Sequence, residues 1–237
     1  MLSPAEIAVS GESRPTVAVF EQSVAAIDAA YQRLGHRLGW RFLTTPRATL
    51  SPGVRIGLIT LNPGGDHEPA DHPRASCERG NAYVSEQWPG HERGAAPLQR
   101  QVRCMAEGLW RHLGMALPLS RFMNEEIMTG YFIPFRSPRW ADLANRRESM
   151  AFAAALWSRI LPWWQPRLLL TIDREAFAAI HDLLVKGQGL RVRERRVFET
   201  GWGAYQAEAV RLDNGNGLGR ITLARLPLHW SRISLDT

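Results

Sequence analysis

The chain has 237 residues, of which 45% are hydrophobic and 22% are charged, values that suit one globular domain with a substantial core. No apolar run approaches the roughly 20 residues that cross a bilayer, and Cys77 and Cys104 are too few for a disulfide framework or a cysteine-based zinc site. The net charge of +6 and the pI of about 10.1 favour an anionic partner, although Lys186 is the only lysine and an arginine bias also arises from coding composition.

The first half of the chain begins with an arm of residues 1–15, which we expect to be loose. The elements predicted after it are a helix over 19–38, a buried strand over 54–61, a long stretch over 62–96 rich in Pro, Gly, His and Glu, a helix over 97–114 and a strand over 126–133. The beginning of the sequence lacks the layout of a signal peptide, so we expect a cytoplasmic protein, with a monomer favoured.

The second half continues the alternation of helices and strands. The predicted elements are a helix over 148–164, a strand over 167–172, a helix over 173–187 with Asp173 as N-cap, half-exposed strands over 190–200 and 204–213, a hairpin turn over 213–217 and a last strand over 220–227. Such alternation implies βαβ units. We therefore predict a single three-layer α/β/α sandwich with a mostly parallel central sheet of about four strands and an antiparallel hairpin at one edge.

Three of the predicted strands end in polar corners, at residues 61–65, 133–138 and 227–232. In open α/β sheets, ligands bind outside the carboxyl ends of the strands. If the strands are parallel, the three corners converge on one crevice that holds an amide, arginines, hydroxyls, aromatic rings and one histidine.

The corners resemble motifs of the uracil-DNA glycosylase superfamily. Residues 62–64 resemble the G-x-N-P-G motif of the mismatch-specific uracil/thymine branch, with Thr60 at the place of the leading glycine. Residues 229–231 resemble the H-P-S motif, residues 129–138 resemble the second-strand region of the iron–sulfur branch, and residues 80–83 resemble the G-x-P-F segment. The order and spacing of all four segments fit this family.

The resemblance covers roughly residues 54–235 and implies a monofunctional DNA glycosylase. Such an enzyme hydrolyses the N-glycosidic bond of a flipped, damaged or deaminated base, uracil or another modified base, with a positioned water. The four-cysteine cluster of the iron–sulfur branch is absent, so we expect no cofactor and no metal. The expected partner is DNA, single- or double-stranded.

The resemblance assigns catalytic roles to two of the corner residues. Asn62 would orient the water, and His229 would donate a hydrogen bond to the departing base. Asn62 in a turn and His229 as a loop cap are the structural alternatives. Asp66 and Glu68 follow at once and would either add a general base or belong to a solvated loop.

A base pocket would be formed by Tyr83, Phe135, Gly130, Pro63 and Gly64. Tyr83 and Phe135 are the candidates for a stacking ring, with core packing as the alternative. Gly130 stands where the family has the asparagine that reads uracil, which points to a different base or to lost activity.

The remaining candidates are side chains that can hold phosphates without reading sequence. They are Arg136, Ser137, Arg139, Ser231 and Arg232. The alternative to an enzyme is a non-catalytic nucleic-acid or base-binding protein on the same fold.

Overall fold

The computed structural model describes residues 14–200, 205–215 and 219–227. The helices of this part are α1 (Arg14–Arg33), α2 (Ala82–Ser85), α3 (Pro97–His112), α4 (Leu119–Arg121), α5 (Arg146–Trp164) and α6 (Arg174–Asp182). Short 3₁₀ turns lie at Arg47–Thr49 and Trp140–Asp142, and π-helical turns lie at Phe122–Glu126 and Leu183–Gly187.

The strands form one six-stranded mixed sheet. They are β1 (Ile56–Thr60), β2 (Ile127–Tyr131), β3 (Leu168–Thr171), β4 (Arg191–Glu199), β5 (Gln206–Asp213) and β6 (Ile221–Arg225), in the order β2-β1-β3-β6-β5-β4. The first four strands of that order are parallel, and β5 and β4 add an antiparallel edge. The predicted fold class is confirmed.

Helices cover both faces of the sheet. Ile59 on β1 belongs to the core that includes residues of α1, α5 and α6, whereas Leu58, one residue earlier, belongs to the core that includes residues of α3 and the π-helical turn Phe122–Glu126. Successive side chains of a strand point to opposite faces, so these two contacts lie in two separate cores. The apolar run of β1 therefore reflects burial on both faces.

Close approach of α5 to the sheet depends on Gly57 of β1. A Cβ atom there would lie 2.2 Å from the Trp164 ring, which overlaps it. The Trp164 indole nitrogen instead donates to the Val54 carbonyl at 2.7 Å. Gly57 thus lets a large buried ring fill the space above β1.

Several predicted boundaries are wrong. Helix α1 includes residues 14 and 15 of the expected loose arm, and it ends at Arg33 because Gly35 takes a positive φ of 67°. The α-helix after β3 stops at Asp182, and a π-helical turn replaces its last turn. Asp173 is the N-cap residue of α6, as predicted, but its side chain makes no capping hydrogen bond, because its carboxylate accepts the Leu61 N–H at 2.8 Å.

Two further regions differ from what their sequence patterns predict. The stretch over 62–96 contains α2 and is fixed by buried polar side chains, including Asn81 and Glu86. β4 is exposed on both faces rather than half-exposed, with Val197 55% and Phe198 47% accessible.

The sheet order places a reversal between β1 and β3. The chain moves from β1 outward to β2, then returns past β1 to β3 and continues to β6. The crevice outside the carboxyl ends of strands at such a switch point is where open α/β sheets bind ligands. The residues that follow β1, β2 and β3 are therefore the first place to look for a site.

Candidate functional site

The corners after β1 and β2 meet, as the sequence predicts. The Ile133 N–H donates to Leu61 O at 2.8 Å, and the Ser137 N–H donates to Pro63 O at 3.1 Å. The third corner follows β6, which is parallel to β3 and ends at the same edge of the sheet. His229, Ser231 and Arg232 of that corner lie outside the described residues.

Asn62 is held by its amide nitrogen. Nδ2 donates to the Ser137 hydroxyl at 2.9 Å, to Pro63 O at 3.1 Å and to Phe135 O at 3.3 Å. The Ser137 hydroxyl donates onward to Arg139 O at 2.9 Å, so its oxygen is an acceptor toward Asn62. Three acceptors on one side fix which end of the amide is nitrogen.

This anchoring leaves the amide oxygen of Asn62 as the available group. No described residue donates a hydrogen bond to Oδ1, and the side chain is partly exposed. Asn62 therefore presents an acceptor oxygen that can hold one water molecule.

Asp173 lies on the other flank of β1, at the end of β3. Its Oδ2 accepts the N–H of Leu61, the residue directly before Asn62, at 2.8 Å. Burial raises the pKa of this carboxyl from 3.8 to about 6. Asp173 is thus ionised at neutral pH but is a much stronger base than an ordinary aspartate.

The two carboxylates expected to help Asn62 are both engaged by neighbouring side chains. Asp66 is exposed and bonds to His67, which lowers the pKa of the carboxyl. Glu68 makes two 2.7 Å hydrogen bonds with Arg74. Both belong to a solvated, ion-paired loop, and the carboxylate at the corner is Asp173 instead.

Tyr83 and Phe135 pack in the core. Tyr83 is 2% exposed and meets Trp88 edge-on. Phe135 is fully buried, and its ring stacks on His36 at a centroid separation of 4.2 Å and on Phe152 at 5.5 Å. Neither ring presents a free face at the sheet edge, so the alternative of core packing describes both.

Tyr131 is the aromatic residue that does reach the site. It ends β2, is partly exposed, and its hydroxyl lies within electrostatic range of Arg41, Arg136, Glu86 and Asp173. Burial raises the pKa of this hydroxyl, so the side chain is neutral. The sequence offered a signal for both Tyr131 and Asp173, because each stands at or just after the end of a strand.

Gly130 is buried against another segment of the chain, residues 42–44. A Cβ atom there would lie 2.8 Å from the Phe42 carbonyl oxygen and 3.2 Å from the Leu43 side chain. Residues 42–44 pair with the outer edge of β2, where the Tyr131 N–H donates to Phe42 O at 3.0 Å. Residues 42–44 therefore cover Gly130 on this side, and its place in a base pocket stays a prediction.

The other candidate residues have partners within the protein. Pro63 is buried, whereas Gly64 is exposed and its carbonyl accepts a hydrogen bond from Arg136 Nη1. Ser137 is 2% exposed and serves Asn62 rather than a phosphate. Arg139 is exposed but ion-paired with Asp142 at 2.8 Å.

Arg136 is 7% exposed, which keeps it from the surface role expected for a DNA-binding arginine. Beside it lies a cluster of Arg41, Glu86 and His72, which no sequence pattern connects with one another. These residues come from segments far apart in the chain. Only the folding of the 62–96 stretch onto the sheet edge brings them together.

Within the described residues, no group of three His, Cys, Asp or Glu side chains is arranged to hold a metal ion. In the same part of the chain, every helix is too short or too polar to cross a membrane.

Comparison with known proteins adds no assignment. No protein-family model matches the chain, and no curated protein matches it. The resemblance to the uracil-DNA glycosylase superfamily therefore stays a prediction from the four motifs.

Proposed function

We propose that this chain is a DNA glycosylase-like hydrolase that cleaves the N-glycosidic bond of a damaged or deaminated base. The observation that carries the proposal is the pair at the switch point: Asn62, whose amide oxygen accepts no hydrogen bond from a described residue, and Asp173, whose pKa is raised. Asn62 Oδ1 accepts a hydrogen bond from the water, and the Asp173 carboxylate takes its proton. The water oxygen attacks the sugar C1′ as the C1′–N bond breaks, and the base leaves with the electron pair.

Two further groups fit this reaction. Tyr131, partly exposed at the end of β2, is the proposed ring on which a flipped base rests. His229, at the end of the third corner, is the proposed donor to the base oxygen, a role implied by the motif at residues 229–231. The proposed setting is base excision repair in the cytoplasm.

The net charge of +6 supports DNA as the proposed partner. Binding through phosphates releases counterions, so the affinity for an oligonucleotide is expected to fall steeply between about 50 and 200 mM salt. Fluorescence anisotropy over this range measures the effect. An affinity that stays constant would contradict a phosphate-dominated mode.

The test of the proposal is base release in single turnover from oligonucleotides that each carry one damaged or deaminated base. Wild-type protein is expected to release at least one base, and Asn62→Ala is expected to be about a hundredfold slower with nearly unchanged DNA affinity. Asp66→Asn is the matched control, because Asp66 is exposed and faces His67, and it is expected to keep the wild-type rate. An Asn62→Ala protein as fast as wild type would leave Asn62 as a turn residue only.

The second candidate is a non-catalytic base- or nucleic-acid-binding protein. It is favoured by the closed surroundings of Gly130, where the Phe42 carbonyl leaves no room for a base-reading side chain. This candidate predicts tight DNA binding with no base released from any oligonucleotide of the panel.

A further inference from the structure

Arg41 and Arg136 lie on the same side of a short antiparallel pairing. Trp40 pairs with Phe135, the Arg41 N–H donates to Pro134 O at 2.7 Å, and the Arg136 N–H donates to Gly39 O at 3.1 Å. Each arginine is one residue past the central pair, so the two are diagonal neighbours on one face, with Cα atoms about 7–8 Å apart. Phe135 points to the opposite face, into the aromatic core.

The only carboxylate directly bonded to this pair within the described residues is Glu86. Its two oxygens accept from both Nη atoms of Arg41, one of them at 2.9 Å, and Trp88 and His72 approach the same oxygen at 3.4 and 3.5 Å. Burial alone would raise the pKa of Glu86. The Arg41 guanidinium nevertheless holds that pKa below its ordinary value, so this carboxylate is ionised. Glu86 is thus fully engaged by Arg41.

Arg136 has no acidic partner of its own among the described residues. Its one described side-chain hydrogen bond runs from Nη1 to Gly64 O, a neutral carbonyl. The nearby Glu68 is bound to Arg74 through two bonds. Two guanidinium groups therefore share one buried carboxylate, which leaves one positive charge uncompensated.

Both guanidinium groups also hold an unused donor. The Nε atoms of Arg41 and Arg136 are fully buried and have no acceptor in the described part of the chain, and the two side chains are 3% and 7% exposed. A buried, charged donor without an acceptor destabilises the fold, because it has lost its hydrogen bonds to water and forms none within the protein. Burial accordingly lowers the pKa of Arg136. His72 adds no charge at neutral pH, because burial lowers its pKa as well.

We propose that Arg41 and Arg136 form a recessed oxyanion site that takes the terminal phosphate of a nucleotide. The planar fork of a guanidinium matches two phosphate oxygens, and one anion supplies both the missing charge and the missing acceptors. An internal phosphate carries a sugar on each side and needs an open groove, whereas both arginines here are buried. Tyr131, close to both guanidinium groups and partly exposed, lies where the attached nucleoside would rest.

Isothermal calorimetry at constant ionic strength tests this site with three probes: inorganic phosphate, a nucleoside 5′-monophosphate and the same nucleoside without phosphate. Phosphate and the monophosphate are expected to bind, and Arg136→Gln is expected to weaken both by at least about tenfold. Arg111→Gln is the matched control, because Arg111 is exposed and paired with Glu107, and it is expected to bind as wild type does. A nucleoside that binds as tightly as its monophosphate would overturn the proposal.

Thermal unfolding separates a binding role from a structural one. Without phosphate, Arg136→Gln is expected to be at least as stable as wild type, because the change removes an uncompensated buried charge. Phosphate is expected to raise the melting temperature of wild type and not that of Arg136→Gln. Arg136→Lys keeps the charge without the fork and is expected to bind phosphate more weakly than wild type.

Wild-type protein that binds neither phosphate nor monophosphate would overturn the site, as would an Arg136→Gln protein that binds them normally. These binding measurements need no turnover. Their failure therefore leaves the proposed base release untouched, and a protein that releases no base can still bind the anion.

Discussion

At the scale of single residues, burial rather than residue type distinguishes the carboxylates near the site. Asp66 hydrogen-bonds to His67 in solvent and its pKa falls, whereas Asp173 is half-buried beside the Leu61 amide and desolvation raises its pKa to about 6. The sequence contains both residues near predicted strand ends. Only the three-dimensional structure tells which of them lies at the crevice, because desolvation depends on the packed neighbours.

Asp173 is expected to make stability depend on pH with a definite sign. Its folded pKa of about 6 exceeds the reference value of 3.8, so its contribution is full below about pH 4 and is lost as pH rises through 6. Asp173→Asn is expected to abolish that decline and to be more stable than wild type at pH 7, by at most about 3 kcal/mol. Urea unfolding of both proteins between pH 4 and 7 measures the difference. Parallel stability curves for the two proteins would contradict the raised pKa.

Replacing Asn62 by aspartate is expected to destabilise the protein. A carboxylate at this position would be able both to orient and to deprotonate water. In the structure, however, the amide nitrogen faces Ser137, Pro63 O and Phe135 O, so a carboxylate there would oppose two carbonyl oxygens.

We expect Asn62→Asp to unfold about 1–3 kcal/mol more easily than wild type at pH 7. Part of the loss is expected to be recovered as pH falls, because a protonated carboxyl can donate. Denaturant unfolding at pH 7 and pH 4.5, with Asn62→Ala alongside, measures the effect. Unchanged stability at pH 7 would mean that Nδ2 does not anchor the corner.

At the scale of elements, the hydrophobic patterns predict the helices and strands well, and the connections poorly. β1, β2 and β3 each lie within a predicted apolar run, because both faces of the central strands are buried. Nothing in residues 39–45 indicates that they pair with residues 129–136. That pairing depends on Gly130, whose missing side chain admits the Phe42 carbonyl.

Gly130→Asn, which introduces the residue that the uracil-DNA glycosylase superfamily has at this place, is expected to destabilise the protein. The new Cβ atom would meet the Phe42 carbonyl oxygen at 2.8 Å, and a backbone atom cannot move aside cheaply. The expected cost is about 1–3 kcal/mol in the free energy of unfolding. Gly108→Ala in α3 is the control: no atom lies within 4 Å of its Cβ position, and alanine favours the helix. Equal stability of Gly130→Asn and wild type in thermal unfolding would show that residues 42–44 shift to accommodate the new side chain.

At the scale of the whole molecule, the strand order explains why distant parts of the sequence share one site. The reversal between β1 and β3 opens the carboxyl edge, where Asn62, Tyr131 and Asp173 arrive from three different strands. The sequence predicts this edge and the contact between its first two corners, because the position of a residue at a strand end is visible in the pattern. It does not predict the buried cluster of Arg41, Glu86 and Arg136, since those contacts form only when the 62–96 stretch folds over the sheet.

The pH dependence of single-turnover base release tests the central claim most directly, that Asp173 activates a water held by Asn62. For a base that the wild type releases, the rate is expected to rise about tenfold per pH unit below 6 and to level off above it, following the Asp173 pKa of about 6. Asp173→Asn is expected to lose this inflection and to be at least about a hundredfold slower at pH 7.5. An Asp173→Asn protein with the wild-type rate and the same pH profile would contradict the account.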